Sequence, residues 1–346
     1  MSVNLKIIAS MAMPIVTAAV LGGVLAGTHH TSLPSLAPRP SITPLPQNAP
    51  VMEAATCERE LGKQFSGVAL TRVSPVQVDD FTHLTKSPVS IVEFYSSFPA
   101  KFNKRGASEA VSLHDIPLIQ LNPGTLNRYA LRKLASGTDN SKIVAYAEAV
   151  KAFKFCVVIS FGHEMNGWWY RWGMPWNTPA TFIKAWRNMH RIFAAAGATN
   201  VIWSWDPSHQ YTEVTAGKIA SPASKWYPGN DYVDWIGLDG YLSKDNNGRP
   251  QSFNEIFGHQ VSYIRQVAPH KLLYLAETGV ADTAAEVTQI DGLFKGIKQD
   301  NMAGLIWFEQ NRKQKWSLTG RIQAIKAYKR GVSGFPKPRT IDVLQQ

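Results

Sequence analysis

Glu164 and Glu277 each close a short apolar run, within Ser160-Phe161-Gly162-His163-Glu164 and Leu275-Ala276-Glu277-Thr278, 277 − 164 = 113 residues apart. Two carboxylates facing across a cleft can divide glycosidic hydrolysis between them. One, held protonated by its surroundings, protonates the leaving oxygen; the other, ionised, attacks the anomeric carbon. Double displacement asks for a separation of ~5–5.5 Å, within reach of two strand ends of one barrel. Either glutamate alone is a weak signal, because acids at strand ends often serve ion pairs.

The aromatic residues strengthen a carbohydrate reading. Of the 11 tryptophans, Trp168, Trp169, Trp172 and Trp176 fall in one short segment beside Tyr170. Flat apolar rings with polar edges suit pyranose faces. Most of these rings are expected to pack the loop, and one or two to touch ligand. Trp203 and Trp205 are expected to face opposite ways, so that one lines the mouth. Asp206, Asp239, Tyr241, Trp307 and Glu309 also sit where apolar runs end. His163, next to the candidate acid, stands where a group could tune its pKa.

A scaffold must bring these ends together. Apolar runs recur at 67–73, 90–96, 116–122, 155–161, 200–206, 233–241, 271–278 and 303–308. Most are continuous rather than alternating, as in parallel strands covered on both faces. Helical patterns lie between them, clearest over 141–153, 179–196, 253–267, 284–299 and 318–330. Thr178-Pro179 and Asp282-Thr283 offer helix starts, and Gly197 a stop. This alternation predicts an α/β fold: a single (β/α)₈ TIM barrel, with chemistry at the C-terminal ends of its strands. A doubly wound sheet competes, but no Gly-rich phosphate loop follows the first run.

Lys6 precedes an apolar stretch that runs to Gly27. Residues 1–27 therefore read as a signal peptide or an N-terminal membrane anchor, and 28–56 as a Pro/Ser/Thr-rich linker. The catalytic domain is expected over 57–335 and a basic tail over 336–346. These readings imply a secreted protein, or one on the extracellular face of the membrane. In such a compartment Cys57 and Cys156 either pair or remain two separate buried thiols.

The formal charge is +11. Residues 1–50 carry +2 and 312–346 carry +8, leaving 11 − 2 − 8 = +1 for 51–311. The C-terminal basicity lacks a nucleic-acid motif and suggests attraction to acidic polymers. No nucleophile elbow is present, and His29-His30 lies just past the leader, in the linker, rather than in a metal site.

The segment Phe161-Gly162-His163-Glu164-Met165-Asn166-Gly167-Trp168-Trp169-Tyr170-Arg171-Trp172-Gly173 resembles the acid/base segment of glycoside hydrolase family 26. Similar in order are 227–241, ending in Asp239-Gly240-Tyr241, then Ala276-Glu277-Thr278-Gly279, and Ile306-Trp307-Phe308 with Trp316. The resemblance implies a retaining β-glycanase with no cofactor and no metal, acting as a monomer on polysaccharide and not on nucleic acid. It assigns Glu164 as acid/base and Glu277 as nucleophile. His163, Trp169, Trp172, Asp239, Tyr241 and Trp307 become substrate-binding or supporting residues. Trp168, Arg171, Glu309 and Ser317 depart from the family pattern, and Asn122 stands near where many mannanases carry a histidine. The resulting expectation is an endo-acting β-mannanase. Its alternatives are a mixed-linkage glucanase or exopolysaccharide depolymerase of the same family, or a non-catalytic polysaccharide binder.

Overall fold

The structure, a computed structural model, describes residues 50–335 apart from 125, 126, 128, 210–213, 216, 217, 220 and 221. The expected leader, most of the linker and the tail lie outside these residues. Eight parallel strands close a barrel in sequential order: β1 (Phe65–Ala69), β2 (Ile91–Phe98), β3 (Ile116–Pro123), β4 (Val157–Phe161), β5 (Val201–Trp205), β6 (Trp235–Leu242), β7 (Leu272–Val280) and β8 (Gly304–Phe308). The (β/α)₈ expectation holds. β1 begins two residues before its apolar run and ends at Ala69, because Thr71–Ser74 turns into the helix Pro75–Thr85, capped by Ser74. The helix Pro179–Ala196 has the expected bounds, with Thr178 accepting the Thr181 N–H and Gly197 closing it. The 253–267 pattern opens with a π-helical turn, Asn254–Gly258, before the α-helix His259–Val267.

The folded region starts earlier than the linker boundary at 56. The helix Ala54–Leu61 lies across the barrel floor: Met52 N–H donates to Lys154 O at 2.7 Å and Ala54 N–H to Thr199 O at 3.0 Å. Backbone bonds to the loops entering β4 and β5 thus order residues whose composition reads as linker. Trp235 Nε1 of β6 donates to Glu58 at 2.7 Å. Cys57 and Cys156 form a disulfide, Cα–Cα 6.4 Å, which fastens this helix to the start of β4.

Side chains fill the barrel in layers. At the floor Phe65 contacts Trp235 and Tyr274, with ring centroids 5.9 and 5.5 Å away. Above them the interior turns polar. The Tyr274 and Ser204 hydroxyls lie 2.9 Å apart, and Ser204 Oγ donates to Asp206 Oδ1 at 2.5 Å. Asp206 also accepts from Gly237 N–H at 3.1 Å.

Trp203 and Trp205 do not face opposite ways. Residues two apart on a strand share a face, and both rings lie outside the barrel. Trp203 packs on Trp186 and Phe193, and Trp205 on Tyr227. Neither lines the mouth.

β7 carries a bulge. Its register against β6 runs Leu238↔Leu275 and then Asp239↔Glu277, so Ala276 is an extra residue; the pairing with β8 shifts at the same place. Tyr274 and Glu277, three residues apart, consequently both face inward, which an unbroken strand forbids.

Candidate active site

Glu164 sits in a tight turn just beyond β4. Gly162 and Glu164 both adopt left-handed backbone, at φ 63° and 50°. That conformation costs a non-glycine residue of order 1–3 kcal/mol and must be imposed by its surroundings. Here the Glu164 N–H donates to Asp206 O at 2.7 Å, and Asn166 exchanges two hydrogen bonds with the Ser208 backbone. The loop then folds back so that Trp169 Nε1 donates to Glu164 Oε2 at 2.6 Å. Trp169 passes directly over Gly167; a Cβ there would lie 2.3 Å from the indole.

Glu277, turned inward by the bulge, receives a tyrosine on each carboxylate oxygen. Tyr95 of β2 donates to Oε1 at 2.5 Å, and Tyr241 of β6 to Oε2 at 2.6 Å. Glu93, fully buried on β2 below Tyr95, lies 3.4 Å from the Tyr95 hydroxyl through Oε1.

Among the described residues no lysine or arginine forms an ion pair with Glu93, Glu164, Asp206, Asp239 or Glu277. Burial, followed by the charge of Glu277, therefore raises the neighbouring acids. Glu164 is pushed to about 8 against the opposing effect of the Trp169 N–H. Glu93 and Asp239 lie well above the ordinary carboxylate range. Asp206 reaches only about 6, because hydrogen bonds to its ionised form offset burial. Burial lowers His163 to about 4, so its ring is neutral at pH 7. The site thus holds a protonated Glu164 opposite a Glu277 gripped by two O–H donors. Those are the two environments that general acid and nucleophile require. Among the described residues no cluster of three or more His, Cys, Asp and Glu is placed to hold a metal.

The residues singled out in the sequence divide. Glu164, Trp169, Tyr241 and Glu277 meet at the mouth; Asp239 and His163 lie directly behind them. Asp239 is paired in register with Glu277 and fully buried. His163, 1% exposed, contacts the Tyr170 hydroxyl at 3.2 Å and is walled off from ligand. Trp172 is also buried, stacked on Tyr170 at 4.2 Å, and donates to His163 O. Its part is to hold the loop, and it offers no face to a sugar. Trp307 cannot floor the site either: it has no exposure, packs on Tyr328 of the outer helix Ile322–Val332, and donates to Trp316 O at 3.1 Å. Trp316, also buried, packs beside Tyr241 with 4.8 Å between ring centroids.

Glu93 and Tyr95 have roles the sequence did not single out. The only available signal was their place in the second apolar run. Two departures from the family pattern explain each other. The Glu309 carboxylate accepts from the Ser317 hydroxyl and the Leu318 N–H, closing the loop that carries Trp316.

The sequence profile of Glycosyl hydrolase family 26 matches residues 103–326. The chain is 25% identical over 293 residues to Endoglucanase H of Acetivibrio thermocellus, covering 79% of this chain and 31% of that protein. It is 28% identical over 162 residues to Mannan endo-1,4-beta-mannosidase A and B of Caldalkalibacillus mannanilyticus, covering 45% and 27%. The chain therefore spans about a third or less of the length of these curated relatives. Among solved structures, GH26C of Muricauda sp. superposes with a TM-score of 0.62 at 16% identity, over 81% of this chain and 87% of that one. A GH26 beta-mannanase of Bacteroides ovatus gives 0.58 at 14% identity, over 83% and 92%. These structural likenesses carry the fold. With the profile spanning well over half of the sequence, the chain belongs to glycosyl hydrolase family 26.

Proposed function

We propose that the chain is an exported, retaining, endo-acting β-glycanase that cleaves β-1,4-linked mannan-type polysaccharide. The reading rests above all on the unequal settings of Glu164 and Glu277: one carboxyl protonated by burial, the other oriented by Tyr95 and Tyr241. Glu164 donates its proton to the glycosidic oxygen as Glu277 attacks the anomeric carbon. The aglycone leaves and a glycosyl–Glu277 ester remains. Esterification removes the Glu277 charge, which is one of the two causes holding Glu164 protonated. The pKa of Glu164 then falls, and the same group takes a proton from the water that opens the ester. Trp169 sets the acid and offers its half-buried ring to the sugar.

A glucan-cleaving endo-enzyme is the second reading. It is favoured by the similarity to an endoglucanase over 79% of the chain, against 45% for the mannosidase. Incubation with mannan, galactomannan, barley β-glucan and xylan, with released oligosaccharides measured, separates the two. Glu164→Ala and Glu277→Ala each reduce release by orders of magnitude while the protein stays folded. Undiminished release by either variant overturns the assignment, and binding without release across the panel favours a non-catalytic binder.

A further inference from the structure

We infer that the glycan taken by this mouth carries carboxylate groups, held by a basic side that the loops after β8, β1 and β2 build along one edge of the cleft. The inference deepens the glycanase reading and rests on it.

These three strands are neighbours in the barrel, in the order β8–β1–β2. The loops after them therefore form one continuous side of the catalytic face. That side presents Arg72 after β1, Lys101 and Lys104 after β2, and Arg312 after β8, all exposed. The surface acids beside them are engaged. Glu109 takes Arg105 at 3.0 Å, Asp282 takes Lys315 at 3.8 Å, and Glu309 is closed on Ser317 and Leu318. The side is pre-shaped as well as charged: Thr71 Oγ1 and Arg312 each donate to Gln310 Oε1 at 2.6 Å, tying the β1 and β8 loops together. Arg312 reaches far enough inward for its charge to act on the Tyr170 hydroxyl beside the acid.

Among the described residues the opposite side is closer to balance: Arg171 and Lys244 are exposed there, but in the loop after β6 Arg249 is bound to Asp245 at 3.2 Å and to Glu255 at 2.6 Å. A neutral mannan or glucan would gain nothing from a basic side. A chain bearing uronate or carboxylated substituents, one or more sugars from the scissile bond, would be drawn in and oriented. Its position on the substrate face argues for a glycan over a nucleic acid.

The test compares galactomannan and barley β-glucan with their carboxymethylated forms, by initial rate and by affinity electrophoresis. The expected KM is on the order of tenfold lower for the charged polymer at about 0.02 M salt, the gap closing by about 0.5 M. A triple variant, Lys101→Gln with Lys104→Gln and Arg312→Gln, narrows the gap, whereas Lys326→Gln with Lys329→Gln on the outer helix preserves it. Hydrolysis of the neutral polymers with no preference for the charged ones overturns the inference alone. Retardation by duplex DNA as strong as by the charged glycan overturns it too, in favour of a nucleic-acid surface. Retardation by charged polymer with no oligosaccharide from any of the four overturns the glycanase reading while sustaining the basic side.

Discussion

The two ends of the barrel are built on opposite principles. At the floor, Phe65, Trp235 and Tyr274 fill the interior and the helix Ala54–Leu61 closes it, fastened by Cys57–Cys156. At the mouth, five carboxyl groups crowd together with no basic partner, and Glu164 is held in a left-handed turn. The ring contacts, hydrogen bonds and disulfide at the floor favour the folded chain. Burial of the carboxyl groups at the mouth opposes it. The contrast teaches where stability and chemistry are separable in this protein.

Breaking the mouth should leave the floor intact. Glu277→Ala is expected to lower turnover by ~10⁴-fold or more, about 5 kcal/mol of barrier, with an unchanged or higher melting temperature. Steady-state kinetics and calorimetry on one sample check both halves. A large fall in melting temperature would show that the carboxylate belongs to the scaffold. Breaking the floor should do the converse. Cys57→Ser with Cys156→Ser opens a loop of sequence separation 99 and should cost about 2–5 kcal/mol in denaturant titration. Turnover at temperatures where the variant is folded should persist.

Smaller effects sharpen the line between the two ends. Glu93 lies in the layer beneath Glu277, and the Tyr95 hydroxyl reaches both carboxyls. Glu93→Leu should lower kcat by about 10- to 100-fold, as for a lost catalytic partner, whereas Glu93→Gln, which keeps a donor, should recover much of it. Equal losses in both variants would argue that packing alone matters there. The smallest expected change is in the pH profile. The proposed mechanism requires protonated Glu164, so kcat/KM should fall as pH rises through about 8. The Trp169 N–H favours the ionised form, and its removal in Trp169→Phe should move that alkaline limb upward. A downward move would mean that the indole stabilises the acid form.

The barrel was legible because parallel strands covered on both faces are continuously apolar and are followed by amphipathic helices. The two glutamates were legible because each interrupts such a run at its C-terminal end. Facing was not legible, for the same reason: a strand without alternation does not announce which side chains point inward. Trp203 and Trp205 were therefore misread, and Trp307 was placed at the mouth although it packs on Tyr328 of the outer helix. Tyr95 was missed because its partner, Glu277, is 182 residues away and only barrel closure joins them. The disulfide depended likewise on a Cα–Cα distance that sequence does not carry.

The extra residue in β7 divides that strand into two frames. Up to Leu275 its residues keep step with the floor; from Glu277 onward they keep step with the mouth. The inward orientation of Glu277, the proposed nucleophile, accordingly rests on the bulge that absorbs Ala276. Loss of Ala276 would leave an unbroken strand in which Leu275 and Glu277 follow Leu238 and Asp239 one for one, with Glu277 still inward. Closing the bulge while keeping Ala276 would instead turn Ala276 to the cleft and send Glu277 into the helical layer. Across descendants of this sequence, the bulge and its extra residue should therefore be kept or lost together.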